Sequence, residues 1–416
     1  MPTIDQQIKW NSARAQMMLD PDIVNLNSGS FGPTPRPVFE AATRYRERLA
    51  AEPVAFLIRE TPDMLWDARE QLARFVGGMP ERLIFTTNVS ASMNIVANAL
   101  QLSCPGEILL TDHEYGAMHW CWERCAQRLG LRLRTFPLPV MTESPDEIVE
   151  AVVSAIRPET RLLFLSHVVS HTGLVLPVEK ICHAARGRGV LTVIDGAHAP
   201  VMVRVNVEQI GCDFYGANCH KWLLAPIGAG FLYASGENMR RLRPLHVSWG
   251  WHYPHAKADE KSPFGNTHRI HHLEFEGTRD PSPWLAVRDA LAFQDSLGWA
   301  NIRTRNEQLV QHVRLRLGEE IGLLHWTPNH PELHGFLTAF RLSEGLSPEI
   351  LRQLFWERKI EVLIAERPYG PALRVSTHFY NTHEEIDHLA SVLPEVLEEA
   401  RRLSSQPKQR DDSYPL

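Results

Sequence analysis

Between residues 75 and 240 the chain alternates short apolar runs with helix-length stretches, and this alternation limits the fold more than any other feature. The runs are Leu83–Phe85, Ile108–Leu110, Leu131–Phe136, Leu162–Leu165, Leu191–Ile194, Phe214–Tyr215 and Gly230–Tyr233. Strands interleaved with helices predict an α/β fold with a mostly parallel seven-stranded sheet flanked by helices. The length of 416 residues leaves room for more than this one domain. An N-terminal helical arm is expected over 1–20, a large domain over 21–285, and a smaller α+β domain over 286–403 that takes in part of the N-terminal segment. The polar end, 404–416, has the composition of a disordered tail.

The local pattern gives further expectations. A long helical stretch runs to about residue 76. Another runs from Pro283 to about Leu317, with Gly318 as its stop. In the smaller domain the strands are Leu337–Leu342, Ile360–Ile364 and Ala372–Thr377, and the helices are Pro348–Arg358 and His383–Leu403. Residues 245–285 are rich in His, Pro and aromatics and weak in periodicity, so they read as a functional loop region.

The chain is 44% hydrophobic and 22% charged, with a net charge of −6. That balance carries no basic footprint for nucleic acid. No apolar run approaches a membrane span. The first ten residues lack the apolar segment of a secretory signal, so a cytoplasmic location is expected. Six cysteines lack CxxC spacing and read as free thiols. Cys121 and Cys125 share a helix face, which is more often packing than metal. His252, His255, His268, His271 and His272 crowd one segment. A polar loop near an anionic cofactor explains them better than a metal site does.

Two strand ends carry the chemistry. The run Leu191–Ile194 ends in Asp195 and Gly196, where open α/β sheets bind ligands. The next strand leads to Asn218-Cys219-His220-Lys221-Trp222. An acid and a lysine so placed have the logic of a pyridine ring held by its nitrogen and bonded at its aldehyde. Alone, each is an ordinary strand-end acid or surface charge. The buried-type strand before Asp195, and the His and Trp flanking Lys221, lower that reading. Phe85-Thr86-Thr87-Asn88-Val89-Ser90-Ala91 follows a strand and opens a helical pattern. Such a turn is often only a helix cap. Its hydroxyls and amides could also cradle a phosphate.

Together with Asn25–Pro33, Thr111–Tyr115, Ser170–Gly173, Phe275–Thr278 and Arg374–Thr377, in this order, these stretches resemble the class V aminotransferase superfamily. That superfamily comprises fold-type I pyridoxal 5′-phosphate enzymes, and the nearest pattern is its isopenicillin N epimerase-like branch. The resemblance implies that Lys221 bonds the cofactor as an imine and moves protons at Cα, and that Asp195 holds the pyridinium nitrogen. It implies that His198 bonds the ring's phenolic oxygen and that Asn88, Val89, Ser90, Asn218 and His220 contact the phosphate. Thr278 would reach the phosphate of a neighbouring subunit, giving a homodimer with shared sites. Arg374 would clamp the carboxylate of an amino-acid substrate, with Asn27 as a second substrate contact. Its planar, always-charged fork suits that task independently. An outward, solvated arginine is the plainer alternative.

Tyr115 is expected to stack on the ring or serve in acid–base chemistry, with Trp120 as the alternative and a buried structural tyrosine as the bland reading. His171 stands where desulfurase relatives have Asn, and could move protons or be a structural substitution. The stretch Ile360–Gly370 lacks the nucleophilic cysteine of desulfurases, and no cysteine follows Cys219. That argues against persulfide formation. Epimerisation or racemisation, C–S β-elimination and transamination remain open, since all can use the same Lys, Asp and Arg. A non-catalytic binding module is the alternative from outside enzymology, although every expected catalytic position is filled. Ser248–His252 and Arg367–Tyr369 are expected to line the entrance and set substrate choice.

Overall fold

The computed structural model describes residues 4–252, 267–366 and 370–405, with the side chains of 4–7 and His252 left out. His255 and Arg367–Tyr369 lie outside the described residues, as do positions 406–416 of the expected tail.

The strands in chain order are β1 (Val24–Asn25), β2 (Leu83–Thr86), β3 (Glu107–Thr111), β4 (Arg132–Phe136), β5 (Thr160–Ser166), β6 (Leu191–Asp195), β7 (Phe214–Asn218), β8 (Gly230–Ala234), β9 (Leu324–His325), β10 (Leu337–Arg341), β11 (Ile360–Glu361), β12 (Leu363–Ala365) and β13 (Ala372–Ser376). A seven-stranded sheet has the order β2-β8-β7-β6-β5-β3-β4. Only β8 runs antiparallel to its neighbours, β2 and β7. The remaining pairs are parallel. The expected mostly parallel α/β sheet is therefore present. Leu162 to Leu165 of β5 are inaccessible on both faces. Strands covered on both sides read as continuous apolar runs, which is why they stand out in the sequence.

Two features depart from the sequence expectation. The long helical stretch before residue 76 is two helices, Arg36–Ala51 and Thr61–Phe75, joined through a widened turn at Ala55–Glu60. Pro53 and Pro62 supply no N–H to a continuous helix. The helix expected over 283–317 is broken too, into Ser282–Leu285, Val287–Leu297 and Trp299–Val313. Gly298, at φ +79°, makes the second break. Gly318 is not a stop. It sits inside a wide turn, Arg314–Glu320, where an added Cβ would lie 2.2 Å from the His325 ring.

The C-terminal part holds a four-stranded sheet, β12-β13-β10-β9, packed with helices Pro348–Glu357 and His383–Ser404. A separate apolar cluster fills it, with Phe340, Leu373 and Leu393 beside Leu26 from the N-terminal segment. The single strand expected over 360–364 is two. β11 pairs in parallel with β1, whereas β12 pairs antiparallel with β13. This brings the Asn25–Pro33 segment beside Arg374, nearly 350 positions away in the chain.

Candidate active site

The C-terminal ends of β5, β6 and β7 open onto a cavity of about 540 Å³, lined on its opposite side by residues of β12 and β13. Its walls include Asn88, Val89, Ser90, Tyr115, His171, Asp195, His198, Asn218, His220, Lys221 and Arg374. Eleven residues singled out in the sequence, spread over nearly 300 positions, thus face one space. Two do not. Asn27 stands behind Arg374, and Thr278 lines a separate apolar cleft of about 300 Å³ with Leu57, Ile58 and Trp249. Trp249, expected at the entrance, therefore faces that other cleft. The helix His268–Glu274 buries His271 and His272, which do not line the cavity.

Lys221 Nζ lies 3.1 Å from His198 Nε2. Burial and the nearby Arg374 guanidinium lower its pKa, against the pull of Asp195. The Asp195 carboxylate ends β6 and accepts a hydrogen bond from the Ala197 N–H at 2.8 Å. Burial raises its pKa, and that N–H and Lys221 oppose the rise. A cation placed against Asp195 would favour its ionised form. Close backbone packing holds the lysine loop. The Gly32 N–H donates to the His220 carbonyl, and a Cβ on Gly32 would lie 1.8 Å from the Lys221 carbonyl oxygen.

Asn88 caps the helix Val89–Ala99, its side chain accepting from the Ala91 N–H at 2.9 Å. The Val89 N–H donates to Asn218 Oδ1 at 2.8 Å. Two of the amides expected to cradle an anion are therefore already engaged by side chains. What remains for a phosphate is the Ser90 N–H and hydroxyl at the helix N-terminus, and the Asn218 amide NH₂. His220 Nδ1 donates to the Ala229 carbonyl at 3.0 Å, which leaves Nε2 for the cavity. Burial holds its pKa down, and a dianion beside it would draw a proton onto Nε2.

Arg374 is buried, not solvated. Its Nη1 donates to the Ser170 carbonyl at 2.7 Å and to the Ser170 hydroxyl at 3.3 Å. Its Nη2 donates to Asn27 Oδ1 at 3.1 Å and to the Ser30 hydroxyl at 3.2 Å. Nε is buried without a partner among the described residues. Asn27 is itself held by Glu361 of β11, at 2.9 Å. It orients the guanidinium and does not line the cavity.

His171 is largely buried, and its Nδ1 has no hydrogen-bond partner among the described residues. Burial, with Arg374 and His113 nearby, lowers its pKa to about 4, so the ring is neutral near pH 7. Tyr115 is half exposed on the rim, at the N-cap of the helix Gly116–Leu129. Trp120, the alternative aromatic, is exposed and does not line the cavity.

Two groups near the site were not found by sequence reasoning. Glu114 is buried and accepts from Thr111 Oγ1 at 2.8 Å, the Ser166 N–H at 3.0 Å and Ser166 Oγ at 2.6 Å. Burial pushes its pKa up to about 7. Arg352 and Glu366 form an ion pair at the cavity's mouth, 2.6 Å apart, beside Leu363–Ala365. Glu114 lies in the Thr111–Tyr115 stretch, but nothing local in the sequence signals its burial. Arg352 lies on an amphipathic helix like any surface arginine.

A family model for class-V aminotransferases matches residues 24–389, and the chain belongs to that family. Within it, the chain is 50% identical to the isopenicillin N epimerase of Streptomyces clavuligerus over 387 residues, covering 92% of this chain and 97% of that one. It is 51% identical to the isopenicillin N epimerase of Amycolatopsis lactamdurans over 393 residues, covering 93% and 98%. A probable cysteine desulfurase of Methanothermobacter thermautotrophicus is 25% identical, covering 94% and 98%. Among solved structures, a C-DES mutant with glycine covalently linked to its PLP cofactor superimposes with a TM-score of 0.79 at 22% identity, covering 95% of this chain and 99% of that one. The Escherichia coli cysteine desulfurase CsdA gives 0.78 at 24%, covering 94% and 99%. These two share the fold. The chain is a pyridoxal-phosphate-dependent enzyme of the isopenicillin N epimerase-like kind. Its cavity fits that cofactor. A buried amine, a buried carboxylate, the Ser90 N–H and hydroxyl at a helix N-terminus and a buried guanidinium converge on one cavity.

Proposed function

We propose that the chain epimerises the amino-bearing Cα of isopenicillin N or a close analogue. The observation that carries this reading is His171. It places a neutral imidazole in the wall of the same cavity as Lys221. Epimerisation needs two proton-handling groups. One removes the Cα proton, another returns a proton to the opposite face, and no electrons are gained or lost overall. Pyridoxal phosphate, when bound, supplies an electron sink that makes the Cα–H bond of an amino acid acidic.

Lys221 would hold the cofactor through Nζ and act on one face of Cα. The lowered pKa of its amine favours the unprotonated form that bonds a carbonyl and accepts a proton. Asp195 would hold the ring nitrogen, His198 the phenolic oxygen, and Ser90, Asn218 and His220 the phosphate. Arg374 would bind the substrate carboxylate. The long contacts to the Ser30 and Ser170 hydroxyls are the ones a carboxylate would take over. His171 or Tyr115 would act on the second face. β-Elimination and transamination need only the lysine, so a second proton-handling group in the cavity wall favours epimerisation over both.

Thr278 supports a homodimer with shared sites. It lies outside its own cavity, in an apolar cleft beside Trp249, which is 75% exposed. A second copy covering this face would bring Thr278 toward the neighbouring phosphate site. A cytoplasmic location is inferred from six unpaired cysteines. No helix among the described residues is long and apolar enough to cross a membrane.

The test is a panel of L- and D-amino acids, cysteine conjugates and isopenicillin N in deuterium oxide. Deuterium at Cα with inversion and no keto acid is expected. Pyruvate with released thiol would mean lyase chemistry, and stoichiometric keto acid would mean transamination. Lys221→Ala should lose the visible band of the bound cofactor. His171→Ala or Tyr115→Phe should keep exchange from one enantiomer while losing inversion.

A further inference from the structure

His198 is gripped at both ring nitrogens. Nδ1 lies 3.3 Å from Trp222 Nε1, and Nε2 lies 3.1 Å from Lys221 Nζ. An indole N–H is a donor only, so Nδ1 must present its lone pair. Burial, with the Arg374 guanidinium nearby, keeps the ring neutral. A neutral imidazole whose Nδ1 is an acceptor carries its proton on Nε2. That N–H points at the lysine. An ammonium has three donors and no acceptor, and would meet it donor against donor. A free amine accepts it.

Trp222 is well placed to impose this. It is buried, and its carbonyl accepts from Gln294 Nε2 at 3.0 Å and from His378 Nε2 at 2.9 Å. Its ring packs edge-on to Phe336 at 6.0 Å and beside His378 at 5.8 Å. Phe336 and His378 flank β10 and β13, so the C-terminal sheet braces the indole. The indole cannot turn away without breaking these contacts.

We propose that Trp222 is a positioning residue whose indole N–H locks His198 in the Nε2–H tautomer, so that Lys221 is presented as a free amine and the cavity receives a fixed donor. The proposal rests on the reading of Lys221 as the covalent anchor. Among the groups around the lysine, Arg374 works with the lock and Asp195 against it. Without the indole N–H, the imidazole can move its proton to Nδ1 and accept from an ammonium. Lys221 then keeps its proton to higher pH.

The test uses the full chain with ¹⁵N-labelled histidine, loaded with pyridoxal phosphate and after its removal. His198→Gln identifies the His198 signals. Long-range ¹H–¹⁵N correlation reads which nitrogen carries the proton. Nε2–H is expected in the wild type, and a mixed or Nδ1–H state in Trp222→Phe. Covalent capture of pyridoxal phosphate by the cofactor-free protein is followed across pH by absorbance. Loss of one net hydrogen bond predicts capture roughly threefold to tenfold slower at pH 7 in Trp222→Phe, with its midpoint moved upward. In a His198→Gln background, Trp222→Phe should change the capture profile no further, because an amide has no tautomer to lock. An Nδ1–H tautomer in the wild type overturns the proposal. So does a Trp222→Phe protein with unchanged tautomer and capture profile. If that variant does not fold, the wild-type spectrum alone decides. Capture that persists in Lys221→Ala would instead sink the lysine assignment and leave the tautomer result standing.

Discussion

Arg374 shows how one residue acquires its role from neighbours far along the chain. Its guanidinium is fixed by Asn27, Ser30 and Ser170, and all but the Ser170 carbonyl reach it through side chains. A lysine cannot reproduce that planar fork. Arg374→Lys is therefore expected to raise KM roughly tenfold or more, with a smaller change in kcat. Asn27 acts through the arginine. Asn27→Ala should raise KM by roughly threefold to tenfold, the cost of one hydrogen bond, and leave kcat nearly untouched. Steady-state kinetics on both variants would check this. A fall in kcat alone would show that neither residue holds the carboxylate.

At the scale of elements, the helix Val89–Ala99 would position the proposed phosphate site through its cap. Asn88 secures Ala91, and Asn218, reaching over from the end of β7, secures Val89. Asn88→Ala should cost about 1 kcal/mol of stability and weaken pyridoxal phosphate retention. Equilibrium dialysis beside a urea titration measures both. Weaker retention at unchanged stability would mean that Asn88 contacts the phosphate without securing the helix. The buried pair of Arg69 and Glu274 is a second element-scale joint, since Glu274 also accepts from the Phe85 N–H of β2. Glu274→Ala would remove the carboxylate from a buried guanidinium and should destabilise by about 3–5 kcal/mol.

For the whole molecule, burial of neutral histidines predicts the sign of the pH dependence. His167, His171 and His378 are each held down to about 4 by burial. Their folded pKa lies below the unfolded value, so the unfolded chain takes up more protons as pH falls. Stability is fully present above about 6.5 and is lost as pH falls toward 4, with each histidine contributing up to about 1.4 kcal/mol per pH unit. Glu114, raised to about 7, acts in the opposite direction as pH falls below 7. Lys221, lowered to about 7, changes stability only above that pH, whereas Asp195, raised to about 6, joins Glu114 as pH falls below 6. Three histidines outweigh the two carboxyls, so the urea midpoint should be lower at pH 5 than at pH 7.5. A flat or inverted profile would mean that these rings are charged in the folded state. Assembly belongs to this scale as well. Light scattering should give twice the mass of one chain, and Thr278→Ala should weaken cofactor retention without changing that mass.

The seven strands of the large sheet were legible because both faces are covered, which writes each one as an unbroken apolar run. Lys221 and Asp195 were legible as candidates because Asp195 ends one such strand, Lys221 follows the next, and both stand in an ordered series of motifs. Local spacing could not show that Asn27 would serve Arg374, that Trp249 would face a different cleft, or that Glu114 would be buried under Ser166. Nor could it show that Trp222 would reach His198. Each of these depends on a partner tens to hundreds of positions away, and a side chain's partner across the fold leaves no mark on its own neighbours in sequence. The sequence by itself determined the sheet and the family, and it named the candidate reacting groups. The tertiary structure decided which groups are buried and which side chains brace them, because burial and contact arise only once the chain has closed on itself.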